Sequence, residues 1–85
     1  MAISFDPEKD AANFAKHGLS LADFAGFDAE PVVIADARFD YGETRFVALG
    51  RIDGLPHAVV YTRRGETMRV IGFRRAHAKE LRRYE

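Results

Sequence analysis

Arginine is the residue type that most clearly suggests chemistry in this sequence. Residues 63–83 contain eight basic side chains and only two acidic ones. A guanidinium group binds phosphate through two parallel hydrogen bonds, whereas a lysine offers a point charge. Arg64, Arg69 and Arg74 are the strongest candidates, because two of them flank predicted turns and one lies mid-strand, where a charge needs a partner or a function. The segment therefore predicts a phosphate-binding surface.

Other polar side chains leave two interpretations open. Lys79, Arg82 and Arg83 fit a solvated helix face as well as a binding role. Tyr84 follows them and could stack on a nucleic-acid base. His17 could transfer a proton near neutral pH, but its position at the end of a predicted helix is equally explained by a favourable interaction with the helix dipole. These residues alone do not identify a proton donor or acceptor.

Several functional classes are excluded by motifs that the sequence lacks. It contains no P-loop, dinucleotide-binding, zinc-protease or nucleophile-elbow motif. Because there is no cysteine and the three histidines are scattered, we expect neither a metal site nor a cofactor. No apolar run approaches the ~20 residues of a membrane span, and the first residues lack the pattern of a signal peptide. We therefore expect a cytoplasmic protein with no membrane partner.

The net charge of zero conceals a division between the two halves of the sequence. Residues 1–42 carry three basic and eight acidic side chains, which gives −5. Residues 43–85 carry ten basic and five acidic side chains, which gives +5. This asymmetry predicts an acidic end and a basic working end, unless the fold interleaves the two halves and cancels the field.

Helix signals lie at both ends of the chain and strand signals lie between them. Asp6-Pro7 and Gly18 predict the start and the end of a first helix. Its apolar stripe consists of Ala11, Phe14 and Ala15. Ser20 predicts the start of a shorter second helix over residues 21–27, and the composition predicts a third helix over residues 76–84.

Four strands are predicted, over residues 31–35, 44–52, 55–63 and 67–73. Asp53-Gly54 is a strong hairpin signal, so the last three strands should form an antiparallel meander. Alternation predicts that Arg69, Ile71 and Phe73 share one face of the last strand and that Met68 and Val70 share the other. We predict a single α+β domain over residues 1–85, with two N-terminal helices, an antiparallel sheet of about four strands and a C-terminal helix.

Three segments of the sequence resemble the BrnT family of toxins. The first is Asp6-Pro7-Glu8-Lys9, followed by Asn13 and by Lys16-His17-Gly18-Leu19-Ser20. The second is Gly42-Glu43-Thr44-Arg45-Phe46 with Leu49-Gly50-Arg51. The third comprises Tyr61-Thr62-Arg63-Arg64 and residues 69–76, with Glu80 and Tyr84 after them. The segments occur in the family's order over nearly the whole chain, so their combination is specific.

The resemblance implies a RelE-like fold and a ribonuclease toxin of a type II toxin–antitoxin system that inhibits translation. It implies RNA as the substrate and a BrnA-type ribbon-helix-helix antitoxin as the partner, with a heterotetramer as one assembly of the pair. Operator DNA would be bound only through the antitoxin, and the complex would repress its own operon. The alternative is a non-catalytic toxin fold that acts as a binding module or co-repressor through its antitoxin.

Metal-independent cleavage of RNA needs charge stabilisation and proton transfer. Arginine does not readily give up its proton, so Arg64 and Arg74 are assigned to stabilising the charge of the transition state. His17 and Tyr84 remain for proton transfer or base stacking. The residues predicted to hold the RNA backbone are Lys16, Arg45, Arg51 and Arg69. The aromatic residues predicted either to bind the antitoxin or to fill the core are Phe24, Phe27, Phe39 and Tyr41.

Overall fold

The computed structural model describes residues 2–36 and 42–84, and all its helices and strands lie in these ranges. In chain order the elements are β1 (Ala2–Ser4), α1 (Pro7–His17), a 3-10 turn (Leu21–Asp23), β2 (Val32–Asp36), β3 (Arg45–Ile52), β4 (Leu55–Arg64), β5 (Thr67–Arg75) and α2 (Ala78–Arg82). Within the described ranges no helix has the length and apolar character needed to cross a membrane.

The strands form a mixed sheet in the order β1-β5-β4-β3-β2. The predicted meander of β3, β4 and β5 is confirmed, and β2 pairs antiparallel with β3. At the β3–β4 turn Asp53 and Gly54 have φ angles of 52° and 78°, as tight two-residue hairpins require. Their N–H groups donate to the Asp28 carboxylate at 3.0 and 2.9 Å, and these bonds lower the pKa of Asp28.

The predicted sheet of four antiparallel strands is wrong, because β1 adds a fifth strand parallel to β5. Its register pairs Ala2 with Thr67 and Ser4 with Arg69. Three residues are too few to display the alternation that identifies a strand in a sequence. The partner strand, β5, lies near the other end of the chain, so no hairpin motif in the sequence indicates the pairing.

The predicted second helix over residues 21–27 is also wrong, since only Leu21–Asp23 forms a single 3-10 turn. The Asp10 carboxylate accepts hydrogen bonds from the Ser20 hydroxyl (2.9 Å) and the Leu21 N–H (2.7 Å), which ties this turn to α1. Phe24 then adopts an extended conformation, with ψ of 116°. Leu21 and Phe24 are both buried, so the extended chain places these two apolar side chains in the core without a helix.

One face of the sheet, which we call the buried face, carries the main hydrophobic core. Leu21 and Phe24 pack there against residues of three strands. The strand residues are Ala48, Val59, Tyr61, Met68, Val70 and Phe73. Phe24 contacts Phe73 edge-on, with ring centroids 5.6 Å apart. Four aromatic residues were predicted either to bind the antitoxin or to fill the core. Phe24 belongs to the core, and Phe27 packs partly buried against it. Phe39 and Tyr41 lie outside the described residues.

A β-bulge corrects the predicted faces of β5. Val60 pairs with Gly72 and Tyr61 pairs with Val70, so Ile71 is an extra residue in the ladder. The bulge shifts the alternation by one position, and Phe73 joins Met68 and Val70 on the buried face instead of joining Arg69. Alternation in a sequence cannot reveal an inserted residue of this kind.

Helix α1 covers the free edge of β5 through a single polar side chain. Asn13 accepts from the Phe73 N–H at 3.1 Å and donates to the Phe73 and Leu19 carbonyl oxygens at 2.8 Å each. The side-chain amide thus replaces a neighbouring strand beyond the end of β1. Asn13 is the buried residue of α1, whereas Phe14, in the predicted apolar stripe, is 60% exposed.

The opposite face of the sheet, which we call the open face, is only partly covered. Leu81 of α2 packs on Leu49 and Ala58 at one end of it. Helix α2 covers residues 78–82, a shorter span than the predicted 76–84. The middle of the open face, at Val47 and Val60, remains partly exposed.

Candidate functional site

Strand alternation divides the arginine cluster between the two faces of the sheet. Arg63 pairs with Met68 and Arg75 pairs with His57, so both lie in register with the buried face. Arg64, Arg69 and Arg74 alternate with them and lie on the open face. The dense run of arginines in the sequence is therefore two separate groups in space, and the three strongest candidates share one surface.

Arg64 and Arg69 meet the start of α1 in a polar cleft of about 120 Å³, which we call the cationic cleft. Its charged lining residues are Asp6, Lys9, Glu43, Arg64 and Arg69. Val70 and the bulged Ile71 complete the wall. Three cationic residues from three elements, Lys9, Arg64 and Arg69, line this cleft, and their side chains are donors suited to binding a phosphate group.

The two carboxylates of the cationic cleft, Asp6 and Glu43, differ in the groups that they contact. The Asp6 side chain caps α1 by accepting from the Glu8 N–H at 2.9 Å. Glu43 lies 3.8 Å from Arg64, measured from Oε2 to Nη2, which is a charge contact too long for a hydrogen bond. The Arg64 side chain is 59% exposed, so its guanidinium remains accessible to a ligand.

A second groove continues along α1 from the cationic cleft. It is lined by Lys9, Lys16, His17 and Ile71, among others, and has a volume of about 240 Å³. His17 follows Lys9 by eight residues, so it lies roughly 12 Å further along the helix axis at 1.5 Å per residue. Lys9 and Ile71 line both hollows, so Lys16 and His17 border a groove that adjoins the cationic cleft.

Arg74 has a different environment from Arg64. Its Nη1 and Nη2 donate to the Glu80 carboxylate at 3.1 and 3.0 Å, and this pairing with Arg74 is the main reason that the pKa of Glu80 falls to about 2. Glu80 also accepts from the His77 N–H at 2.9 Å, at the start of α2. Arg74 thus anchors α2 to β5. Tyr84 lines the same hollow of about 290 Å³, together with Val47.

A model of the ribonuclease toxin BrnT, from type II toxin–antitoxin systems, matches residues 5–80. The chain belongs to the BrnT family. Membership identifies it as a ribonuclease toxin and implies an antitoxin partner. A search of curated proteins finds no match to this BrnT chain.

Most of the predicted site residues of this BrnT chain border the open face, but Arg51 does not join the others. Arg45 pairs with Asp36 on β2 and lies on the open face by alternation with Val47. Arg51 alternates with Val47 and Leu49 and is therefore also in register with the open face, but it lines a separate hollow with Asp28 and Leu81. Tyr84 lies beyond the matched residues 5–80.

Sequence reasoning did not place three charged residues of the cationic cleft, Asp6, Lys9 and Glu43, in the functional site. Lys9 carries a usable signal, because Lys9 and Lys16 are seven residues apart and so lie on one side of α1. Glu43 belongs to the second segment that resembles the BrnT family, but its proximity to Arg64 depends on the pairing of β3 with β4. In the described ranges no group of three histidine or acidic side chains forms a metal-binding cluster.

Proposed function

We propose that this BrnT toxin cleaves RNA on the open face of its sheet, without a metal ion, and thereby inhibits translation. The observation that carries the proposal is the convergence of Lys9, Arg64 and Arg69 in the cationic cleft. Cationic donors that surround a phosphate stabilise the extra negative charge of a transesterification transition state. Arginine is suited to this role because it remains protonated.

The proposed roles follow the position of each side chain. Arg64 and Arg69 contact the scissile phosphate, and Lys16 and Arg45 hold the RNA backbone on either side. Arg74 fixes α2 through Glu80. His17 and Tyr84 contact neighbouring bases rather than the scissile phosphate, since each lines a different hollow.

The partner is proposed to be a ribbon-helix-helix antitoxin of the BrnA type. The support is the family membership together with the motif resemblance. The antitoxin neutralises the toxin in a heterotetramer, and the complex represses its own operon through the DNA-binding domain of the antitoxin. A small reading frame for such a protein next to the toxin gene, and a stable complex on co-expression, would be expected.

The test is cleavage of RNA by the purified toxin in the presence of a chelator. We expect the wild-type protein to cut RNA, and Arg64→Ala to lower the rate at least about 100-fold, the size of effect seen when one oxyanion donor is removed. Arg63→Ala is the matched control, because this neighbouring arginine lies on the other face of the sheet. We expect it to cut RNA at close to the wild-type rate.

The same variants distinguish an active toxin from a non-catalytic module in cells. Expression of the wild-type chain without its antitoxin should arrest growth, and Arg64→Ala should relieve the arrest while the protein remains folded. Intact RNA after incubation with the antitoxin-free wild-type protein would instead favour a toxin fold that acts only as a co-repressor.

A further inference from the structure

We infer that Glu43 is the general base of the reaction, the group that removes the proton from the ribose 2′-hydroxyl. The inference rests on the proposed ribonuclease function. It names the residue that accepts the proton, a role that the residues discussed so far leave unfilled. The arginines of the cationic cleft cannot accept a proton, because a guanidinium is already protonated. A carboxylate in the same cleft can do so.

Of the two carboxylates that line the cationic cleft, Glu43 is the one that contacts Arg64. The Asp6 carboxylate is engaged by the Glu8 N–H at the start of α1. Within the described ranges Glu43 has a charge contact with Arg64 at 3.8 Å and no hydrogen bond to it. Its side chain is 34% exposed, so an RNA hydroxyl can approach it from solvent.

The backbone around Glu43 is held in position by neighbouring contacts. Gly42 has a φ of +74°, a conformation that favours glycine, and it turns the chain immediately before Glu43. On the other side, the Thr62 hydroxyl of β4 donates to the Thr44 carbonyl oxygen at 2.7 Å. This bond ties the segment that bears Glu43 to the strand that bears Arg64.

The reaction is a balanced internal transesterification. Glu43 takes the 2′-hydroxyl proton as the 2′-oxygen attacks the adjacent phosphorus, so that the O2′–P bond forms and the P–O5′ bond breaks. Arg64, Arg69 and Lys9 stabilise the additional charge on the phosphate oxygens. The departing 5′-oxygen takes a proton from water, and the protonated Glu43 returns its proton to solvent. The products are a 2′,3′-cyclic phosphate and a 5′-hydroxyl.

The experiment compares Glu43→Gln with Glu66→Gln, since Glu66 is an exposed glutamate in the neighbouring β4–β5 turn. Cleavage rates are measured from pH 4 to 8 on a short RNA, and affinity is measured on the same RNA methylated at every 2′-oxygen, which cannot be cut. We expect Glu43→Gln to lower the rate about 100-fold or more, to change affinity less than about threefold, and to abolish the fall in rate at acidic pH. Glu66→Gln should match the wild type in all three measurements.

Each other outcome overturns the assignment in a recognisable way. If Glu43→Gln cuts RNA at the wild-type rate, the base is another group, while the ribonuclease function stands. If rate and affinity fall together and the acidic limb of the pH profile persists, Glu43 only positions Arg64. If the wild-type protein leaves RNA intact or yields a 3′-phosphate without a cyclic intermediate, the proposed reaction fails and Glu43 has no such role.

Discussion

Arg74 and Glu80 form a bidentate ion pair that joins β5 to α2. Nη1 and Nη2 of Arg74 lie 3.1 and 3.0 Å from the carboxylate oxygens of Glu80. Both side chains are slightly more than one-third exposed, so solvent weakens the attraction. The pair matters because α2 has only five residues and cannot form in isolation. Its other anchor is Leu81 on Leu49 and Ala58.

The first prediction concerns the coupling energy of this pair. Arg74→Ala and Glu80→Ala should each destabilise the fold, and the double variant should cost less than the sum of the two. We expect a coupling of about 0.5–1 kcal/mol, which is typical of a partly exposed pair of good geometry. Urea unfolding of the four proteins measures it. Additive effects would show that the ion pair does not stabilise the position of α2.

The second prediction is the pH dependence that the pair confers. The pKa of Glu80 is lowered to about 2 in the folded chain, so as the pH falls the unfolded chain takes up this proton first. The stabilisation is therefore complete above the ordinary glutamate pKa of about 4.5 and is lost as the pH falls towards 2. Glu80→Gln should lose less stability than the wild type in urea unfolding between about pH 5 and pH 2.5. Glu66→Gln should follow the wild type.

The meander could be predicted from the sequence because its signals are local. Asp53-Gly54 fixes one hairpin, and the apolar alternation of β3 and β4 fixes their faces. The parallel strand β1, the bulge at Ile71 and the cap formed by Asn13 could not be predicted, because each depends on a partner far away in the chain. The motif resemblance identified the family without any of them.

The candidate site was predictable only in part for the same reason. Arginine chemistry pointed to Arg64 and Arg69, which do share the cationic cleft. It equally selected Arg74, whose charge is largely matched by Glu80. Lys9 lies on α1 and Glu43 lies just before β3, so only the tertiary fold brings them to Arg64.

A third prediction tests the cap on the edge of β5. Asn13→Ala would leave the N–H and the carbonyl oxygen of Phe73 without their partner in a buried location. An unsatisfied buried polar group costs about 1–3 kcal/mol, so we expect a loss of about 2–4 kcal/mol in the free energy of unfolding. Chemical denaturation measures this loss. Ala11→Ser, at an exposed position of the same helix, should change stability by less than about 0.5 kcal/mol.

Retention of near wild-type stability in Asn13→Ala would mean that water satisfies Phe73 and that the edge of β5 needs no cap. Asn13→Asp provides a finer test, because a carboxylate can still accept from the Phe73 N–H but cannot donate to the carbonyl oxygens of Phe73 and Leu19. We expect it to be destabilised as well.

A fourth prediction concerns the close contact between β3 and the loop after the 3-10 turn. A Cβ added at Gly50 would lie 2.6 Å from Cδ1 of Phe27, which forces the ring to move. Gly50→Ala should therefore destabilise the protein by about 1–3 kcal/mol in thermal or urea unfolding. Gly72→Ala is the control, because its nearest contact would be an ordinary 3.7 Å to Val60. Equal effects of the two substitutions would indicate a loss of strand flexibility rather than a clash.

The fifth prediction separates the two faces of β5 in RNA binding. Arg69 and Arg75 lie on the same strand, but Arg69 lines the cationic cleft and Arg75 pairs with His57 on the buried-face side. Binding of 2′-O-methylated RNA to Arg69→Ala should weaken about tenfold, and the slope of log affinity against log salt should fall by about 0.7, as expected for the loss of one single-strand phosphate contact. Arg75→Ala should keep both quantities close to wild type. If both variants lose affinity and slope equally, RNA is held by diffuse positive charge and the open face is not a specific binding surface.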